Sequence, residues 1–227
     1  MHQEKRDGIP TPLRSVFEFN ERIWLTFYKA TRTDRVSQTP PARGTKAREN
    51  GDVGLDDDDI SDWKMTVLTP LGTRTPAEIQ ITLDELKTLP RTEYVNQFKC
   101  IEGWSEVVSF SGVKFIDFLN HFHLGTHSGR AIDMNHPEDL YSHVGLQTPD
   151  GEYYVSVDMK SMLGEQTLLA YEMNGEPLTL EHGAPLRLAI PTKYGVKNLK
   201  RIGKIQFADN KLPDYWGEKG YDWFIGL

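Results

Sequence analysis

The chain has 227 residues, 38% of them apolar and 11% aromatic, with a mean hydropathy of -0.52 and a formal net charge of -7. One large core under a strongly polar surface fits these values, and the negative balance argues against a general nucleic-acid binder. The longest apolar run, Ile23 to Tyr28, has six residues with Thr26 inside it, so no membrane span is expected.

The opening MHQEKRDGIPTP has no apolar signal core, which points to a cytoplasmic protein, or to a periplasmic one if an export signal is missing from this sequence. Residues 14–29 carry Val16, Phe19, Ile23 and Phe27 at helical steps, predicting a partial helix with that face turned inward. From Thr31 to Asp62 the composition shifts to a basic, turn-rich stretch and then to an acidic one, predicting a long mobile or lid-like loop. Asp56 to Asp59 lack the alternating spacing and glycine of a calcium loop. Trp63 to Leu68 reads as a strand, Thr82 with Glu85 as a capping box, and Thr92 to Lys99 as extended chain ending at Cys100. Phe115, Phe118, Leu119 and Phe122 form one helical stripe of core residues. His121, His123 and His127 follow without zinc-ligand spacing and read as surface histidines. Pro149-Asp150-Gly151 between two alternating runs predicts a hairpin, and Asn174-Gly175 a second tight turn. Strands over Pro185 to Ile190 and Leu199 to Phe207, then an aromatic tail that must pack, complete an α+β domain with mixed or antiparallel sheets. One domain over residues 1–227 is expected.

Three features bear on chemistry. Cys100 is the only cysteine, so it makes no internal disulfide; it is either a small buried hydrophobe or a reactive or metal-bound thiolate. Residues 187–204 hold Arg187, Lys193, Lys197, Lys200, Arg201 and Lys204 with no acid, which suits a small anion such as phosphate or, more plainly, a solvated basic strand face. The glycine loops of Rossmann and P-loop nucleotide sites are absent, and Gly103 to Val107 misses the second glycine of a serine-hydrolase elbow. A metal-free thiol hydrolase using Cys100 stays open.

Phe98-Lys99-Cys100-Ile101-Glu102-Gly103-Trp104-Ser105, together with the distant EMNGEPLTLEHGAPLRLAIPTKYGVKNLKRIGKI, resembles the sulfite-oxidase-type molybdopterin domain over roughly residues 63–227. Within that family it is most similar to the catalytic subunit of bacterial methionine sulfoxide reductase and its uncharacterised relatives. The resemblance implies that Cys100 binds molybdenum, whose other sulfur ligands come from one molybdopterin dithiolene. It also implies cofactor contacts at His182, Arg187, Asn198, Leu199 and Lys200, and further ones at Thr148 and, through a looser N-terminal match, at Arg14, Phe17 and Glu18. Tyr153, or its neighbour Tyr154, stands where sulfite oxidases carry an active-site tyrosine.

On this resemblance the expected activity is oxygen-atom transfer on a small S- or N-oxide. Sulfite oxidases hold their anion with an arginine five residues past the cysteine, where this chain has Ser105. Sulfite oxidation and a non-catalytic cofactor-binding module are the alternatives. No haem-binding Cys-x-x-Cys-His occurs, so no haem is expected in the chain and electrons would come from a separate redox partner protein.

Overall fold

In a computed structural model, the structure describes residues 15–16, 19–20, 22–23, 39–55, 60–68 and 78–226. Among these, two five-stranded sheets enclose the core. Sheet A runs β2(Glu78–Ile81), β1(Met65–Leu68), β10(Lys204–Ala208), β5(His143–Gln147), β6(Tyr154–Asp158), with β1 and β10 parallel and the other pairs antiparallel. Sheet B runs β3(Arg91–Lys99), β4(Ser105–Lys114), β7(Leu168–Met173), β8(Glu176–Pro177), with β9(Arg187–Ala189) also on β7, and is antiparallel throughout.

The main core is built by both sheets and by α2(Phe115–Phe122), whose Phe115, Phe118 and Leu119 are sealed from solvent. The capping box closes α1(Leu83–Lys87): Thr82 Oγ1 accepts from the Glu85 amide at 3.2 Å and Glu85 accepts from the Thr82 amide at 2.8 Å. The Pro149-Asp150-Gly151 turn joins β5 to β6, and Asp158 caps α3(Met159–Met162). His121, His123 and His127 are exposed.

The strand period decides what each face of sheet B meets. Leu186, Leu188 and Ile190 point into the main core, while Ala189 belongs to a second apolar cluster on the opposite face with Val108, Phe110, Leu168, Ala170 and Ala47. Ala47 comes from residues 39–55, an irregular strap lying across that second face. It is pinned: Asn174 Nδ2 donates to Thr45 O at 2.8 Å, and the Arg48 amide donates to the Glu106 carboxylate at 3.1 Å. These bonds and Ala47 tie the described part of this stretch to sheet B and the turn after β7.

Two expectations need correction. Residues 15–16, 19–20 and 22–23 are helical, but Val16, Phe19 and Ile23 are 49%, 61% and 39% exposed, so these three do not turn into the core; Phe27 lies outside the described residues. The strand expected over Leu199 to Phe207 begins only at Lys204, because Arg201 takes a φ of 47° that extended chain does not allow. Residues 199–202 instead cross β9 irregularly, Leu188 N donating to Leu199 O and Ile202 N to Leu186 O. Arg14, Phe17, Glu18 and Asp56 to Asp59 lie outside the described residues.

Candidate molybdopterin site

The second face of sheet B carries a cavity of about 310 Å³, floored by Phe98, Phe110, Met173 and Arg187 and walled by the strap, the turn after β3 and the C-terminal tail. Volumes of this order accept a cofactor-sized ligand.

Cys100 sits in the turn that ends β3. Its amide donates to Trp104 O at 2.9 Å and its carbonyl accepts from Gly103 N at 3.1 Å, a closure that needs Gly103 at a φ of 90°. The residue is 7% exposed, yet it lines the cavity instead of the hydrocarbon core. Its sulfur accepts from Asn50 Nδ2 at 3.6 Å.

Arg187 opens β9, and alternation puts it on the same face as Ala189. Its guanidinium lies 5.0 Å from the Phe110 ring centre and 5.7 Å from that of Phe98, and donates to His182 O at 3.1 Å and Asn198 O at 3.4 Å. Among the described residues no carboxylate pairs with it, its Nε is buried without a partner, and burial lowers its pKa to about 10. His182 binds Thr179 Oγ1 through Nδ1 at 2.8 Å, while its Nε2 is buried without a partner. Burial first, then the charges of Arg187 and Lys200, push its pKa down, so the imidazole is neutral at pH 7. Lys200 Nζ donates to the carbonyls of Glu181, Asn50 and Gly51 at 2.5, 2.7 and 2.8 Å. Burial and Arg187 lower it to about 8. Gly183, at a φ of 93°, lets the His182 loop rest on Lys200, since a Cβ there would lie 2.7 Å from the lysine Cβ.

The remaining expected residues divide. Tyr153 lines the cavity and donates its hydroxyl to Val196 O at 2.7 Å; burial raises its pKa, so it is a neutral donor. Tyr154 is directed elsewhere, to Glu218 Oε2 at 2.6 Å. Asn198 lines the cavity, but its side chain knits the preceding turn, accepting from Ile190 N at 2.7 Å and donating to Tyr194 O at 3.1 Å. Leu199 and Thr148 stand behind the wall. Leu199 is a core side chain, and Thr148 Oγ1 accepts from Tyr153 N at 3.1 Å, holding the turn that presents Tyr153.

The basic segment is not the solvated face that its composition allows. Arg187, Lys193, Lys197 and Arg201 are all at most 3% exposed. Lys193 pairs with Asp158 at 3.2 Å and Lys197 with Asp214 at 2.5 Å, so only Arg187 and Lys200 of the segment's cations line the cavity.

No motif or spacing marks Arg48 and Asn50 in the strap, or Trp216 and Tyr221 in the tail, as cavity residues. The one usable signal was the tail's aromatic content, which demanded a packing partner without naming it.

Residues 51–216 match the family described as the oxidoreductase molybdopterin binding domain. The chain belongs to that family. It is 38% identical over 146 residues to a putative protein-methionine-sulfoxide reductase subunit, YedZ1, of Azospira oryzae, covering 64% of this chain and 50% of that one. It is 28% identical over 202 residues to the uncharacterized oxidoreductase YuiH of Bacillus subtilis, covering 87% and 92%. A protein-methionine-sulfoxide reductase catalytic subunit, MsrP, of Xanthomonas campestris is 30% identical over 171 residues, covering 72% and 52%. The chain thus spans about half the length of these reductase subunits and most of YuiH. The sulfane dehydrogenase SoxCD from Paracoccus pantotrophus shares the fold with a TM-score of 0.54 at 16% identity, over 69% of this chain and 40% of that one. The family and the α+β fold class expected from the sequence both hold.

The cavity fits the family's cofactor on its own chemistry. A soft sulfur donor, two orphaned buried nitrogens and two cations that make no direct ion pair among the described residues line one space, which suits a group that joins a thiolate-seeking metal to a phosphate. Among the described residues no cluster of three or more His, Cys, Asp or Glu forms a metal cage.

Proposed function

We propose that this domain catalyses oxygen-atom transfer on a neutral S- or N-oxide, with Cys100 Sγ as the protein ligand to molybdenum and Arg187, Lys200 and His182 holding the pterin and its phosphate. The observation carrying this reading is that Cys100 shares one cavity with Arg187 and Lys200, neither of which makes a direct ion pair among the described residues. Bound molybdenum supplies two-electron oxygen exchange; for a sulfoxide the balance is R₂SO + 2e⁻ + 2H⁺ → R₂S + H₂O.

The chain's own residues do the rest. Arg187 offers a planar fork and Lys200 a point charge to phosphate, and a bound anion would replace part of the solvation that both lost on burial. His182 Nε2 and Arg187 Nε are available to polar atoms of the ligand. Tyr153, held neutral, lends the inner wall a hydroxyl without adding charge.

The mouth supports a neutral substrate. Val53, Ile101 and Tyr221 are 40%, 44% and 49% exposed, and all three line the cavity, giving it an apolar rim on a polar protein. Glu102 and Glu106 add negative charge there, and the Arg48 guanidinium is stacked 4.7 Å from the Trp104 ring centre. Ser105 faces away, accepting from Gln97 Nε2 at 3.3 Å. This rim disfavours sulfite and suits a thioether oxide; the reductases named above make peptide-borne methionine sulfoxide the first substrate to try. Those names denote subunits, which supports a separate electron carrier for this chain as well.

Elemental analysis of freshly purified protein should give close to one molybdenum per chain. With an artificial donor, the protein should reduce methionine sulfoxide in peptides in preference to oxidising sulfite. Cys100→Ser should lower turnover at least about a thousandfold, since it removes the ligand itself. A metal-free protein whose Cys100 is freely alkylated would instead establish thiol chemistry, and a loaded protein inert toward all these substrates would establish a cofactor-binding module.

A further inference from the structure

The strap meets the cavity through one side chain that contacts two of its functional groups. Asn50 Nδ2 donates to Cys100 Sγ at 3.6 Å and to Glu102 Oε2 at 3.1 Å. Its backbone carbonyl accepts from Lys200 Nζ at 2.7 Å. A carboxylate only accepts, so Glu102 fixes the amide with its nitrogen toward the sulfur. Glu102 is itself anchored by Trp104 Nε1 at 3.1 Å. The hydrogen bond to the sulfur is thus set by a chain of partners, Trp104 to Glu102 to Asn50, with Lys200 fixing the backbone behind it.

The structure assigns Asn50 as a positioning residue for the Cys100 sulfur, whose amide hydrogen bond tunes the reduction potential of the metal that this sulfur holds. The inference rests on the reading of Cys100 as a molybdenum ligand. An N–H directed at a thiolate draws electron density from it, so the sulfur gives less to the metal and the reduced state is favoured. Three features support a role beyond packing. The donor is an amide, whose charge does not change between pH 5 and 9. It reaches the sulfur across 50 residues of sequence. The residue whose ammonium lies on the cofactor-binding side holds the same backbone, so ordering at Lys200 is passed directly to the sulfur's hydrogen bond.

The test uses the molybdenum-loaded full chain, with EPR-monitored redox titration as the readout and metal content measured in parallel. Asn50→Leu keeps the volume and removes the donor; its metal couple should move to lower potential and its Mo(V) signal should change, with metal content near the unsubstituted level. Asn50→Gln, which still offers an amide, should recover part of the shift. Glu102→Gln leaves Asn50 in place but loosens its orientation, and should move the couple the same way by less. An unshifted couple and spectrum in loaded Asn50→Leu overturns the inference, as does an unshifted Glu102→Gln if the Leu variant fails to load. Absence of molybdenum from the unsubstituted protein would instead sink the assignment of Cys100, a separately visible result.

Discussion

Two pairs of cations, drawn from the same acid-free segment, meet opposite surroundings. Lys193 and Lys197 are 3% and 1% exposed and each pairs with a carboxylate, Asp158 and Asp214; Lys197 also donates to Ser156 O at 3.0 Å, and Asp214 caps α4(Tyr215–Glu218). Arg187 and Lys200 line the cavity, and their direct partners are uncharged carbonyls and aromatic rings. Burying a charge costs several kcal/mol unless something charged or strongly polar answers it. The first pair is answered by the fold and belongs to its stability. The second is answered only in part, so its missing counter-charge is best supplied by a ligand.

The sharpest way to break that contrast is Lys197→Met. It leaves Asp214 buried without its cation, and metal-free protein should lose roughly 3–5 kcal/mol in urea unfolding. Arg187→Met should behave differently. It strips two carbonyls of a donor but removes a buried charge with no acid beside it, so the two effects nearly cancel and stability should stay within about 1 kcal/mol of the unsubstituted protein. Its molybdenum and pterin content should nevertheless collapse. Equal destabilisation by both substitutions would mean that Arg187 is as structural as Lys197.

That division was invisible in the sequence for a physical reason. The acids answering Lys193 and Lys197 lie 35 and 17 residues away, so a segment that is acid-free along the chain is not acid-free in space. What was legible rested on local rules: the Thr82–Glu85 box, the hairpin turn, the α2 stripe and the position of Cys100 at a strand end. The strap was legible only as a change in composition. Its placement depends on Ala47 and Arg48 finding partners on sheet B and Asn50 on the turn after β3, which no periodicity encodes. Tyr153 could not be separated from Tyr154 before the turn held by Thr148 showed which of them faces the cavity.

The subtlest consequence is a pH dependence. Lys200 falls from the ordinary 10.5 to about 8 in the folded, ligand-free protein. Its unfolded form therefore holds more protons between pH 8 and 10.5, and the folded protein gains stability as pH rises through that window. Anion binding should run the other way. A bound phosphate favours the ammonium, so affinity should be level below pH 8 and then fall by up to about tenfold per pH unit. Calorimetry of inorganic pyrophosphate binding to metal-free protein at pH 7, 8 and 9 would measure it. Lys193 also sits at about 8, but it faces Asp158 and Phe224 and lies outside the cavity lining. Lys200→Met should therefore weaken binding at pH 7 and flatten the profile between pH 8 and 9. A profile that stays steep in that variant would move the effect to Lys193 and remove Lys200 from the anion site.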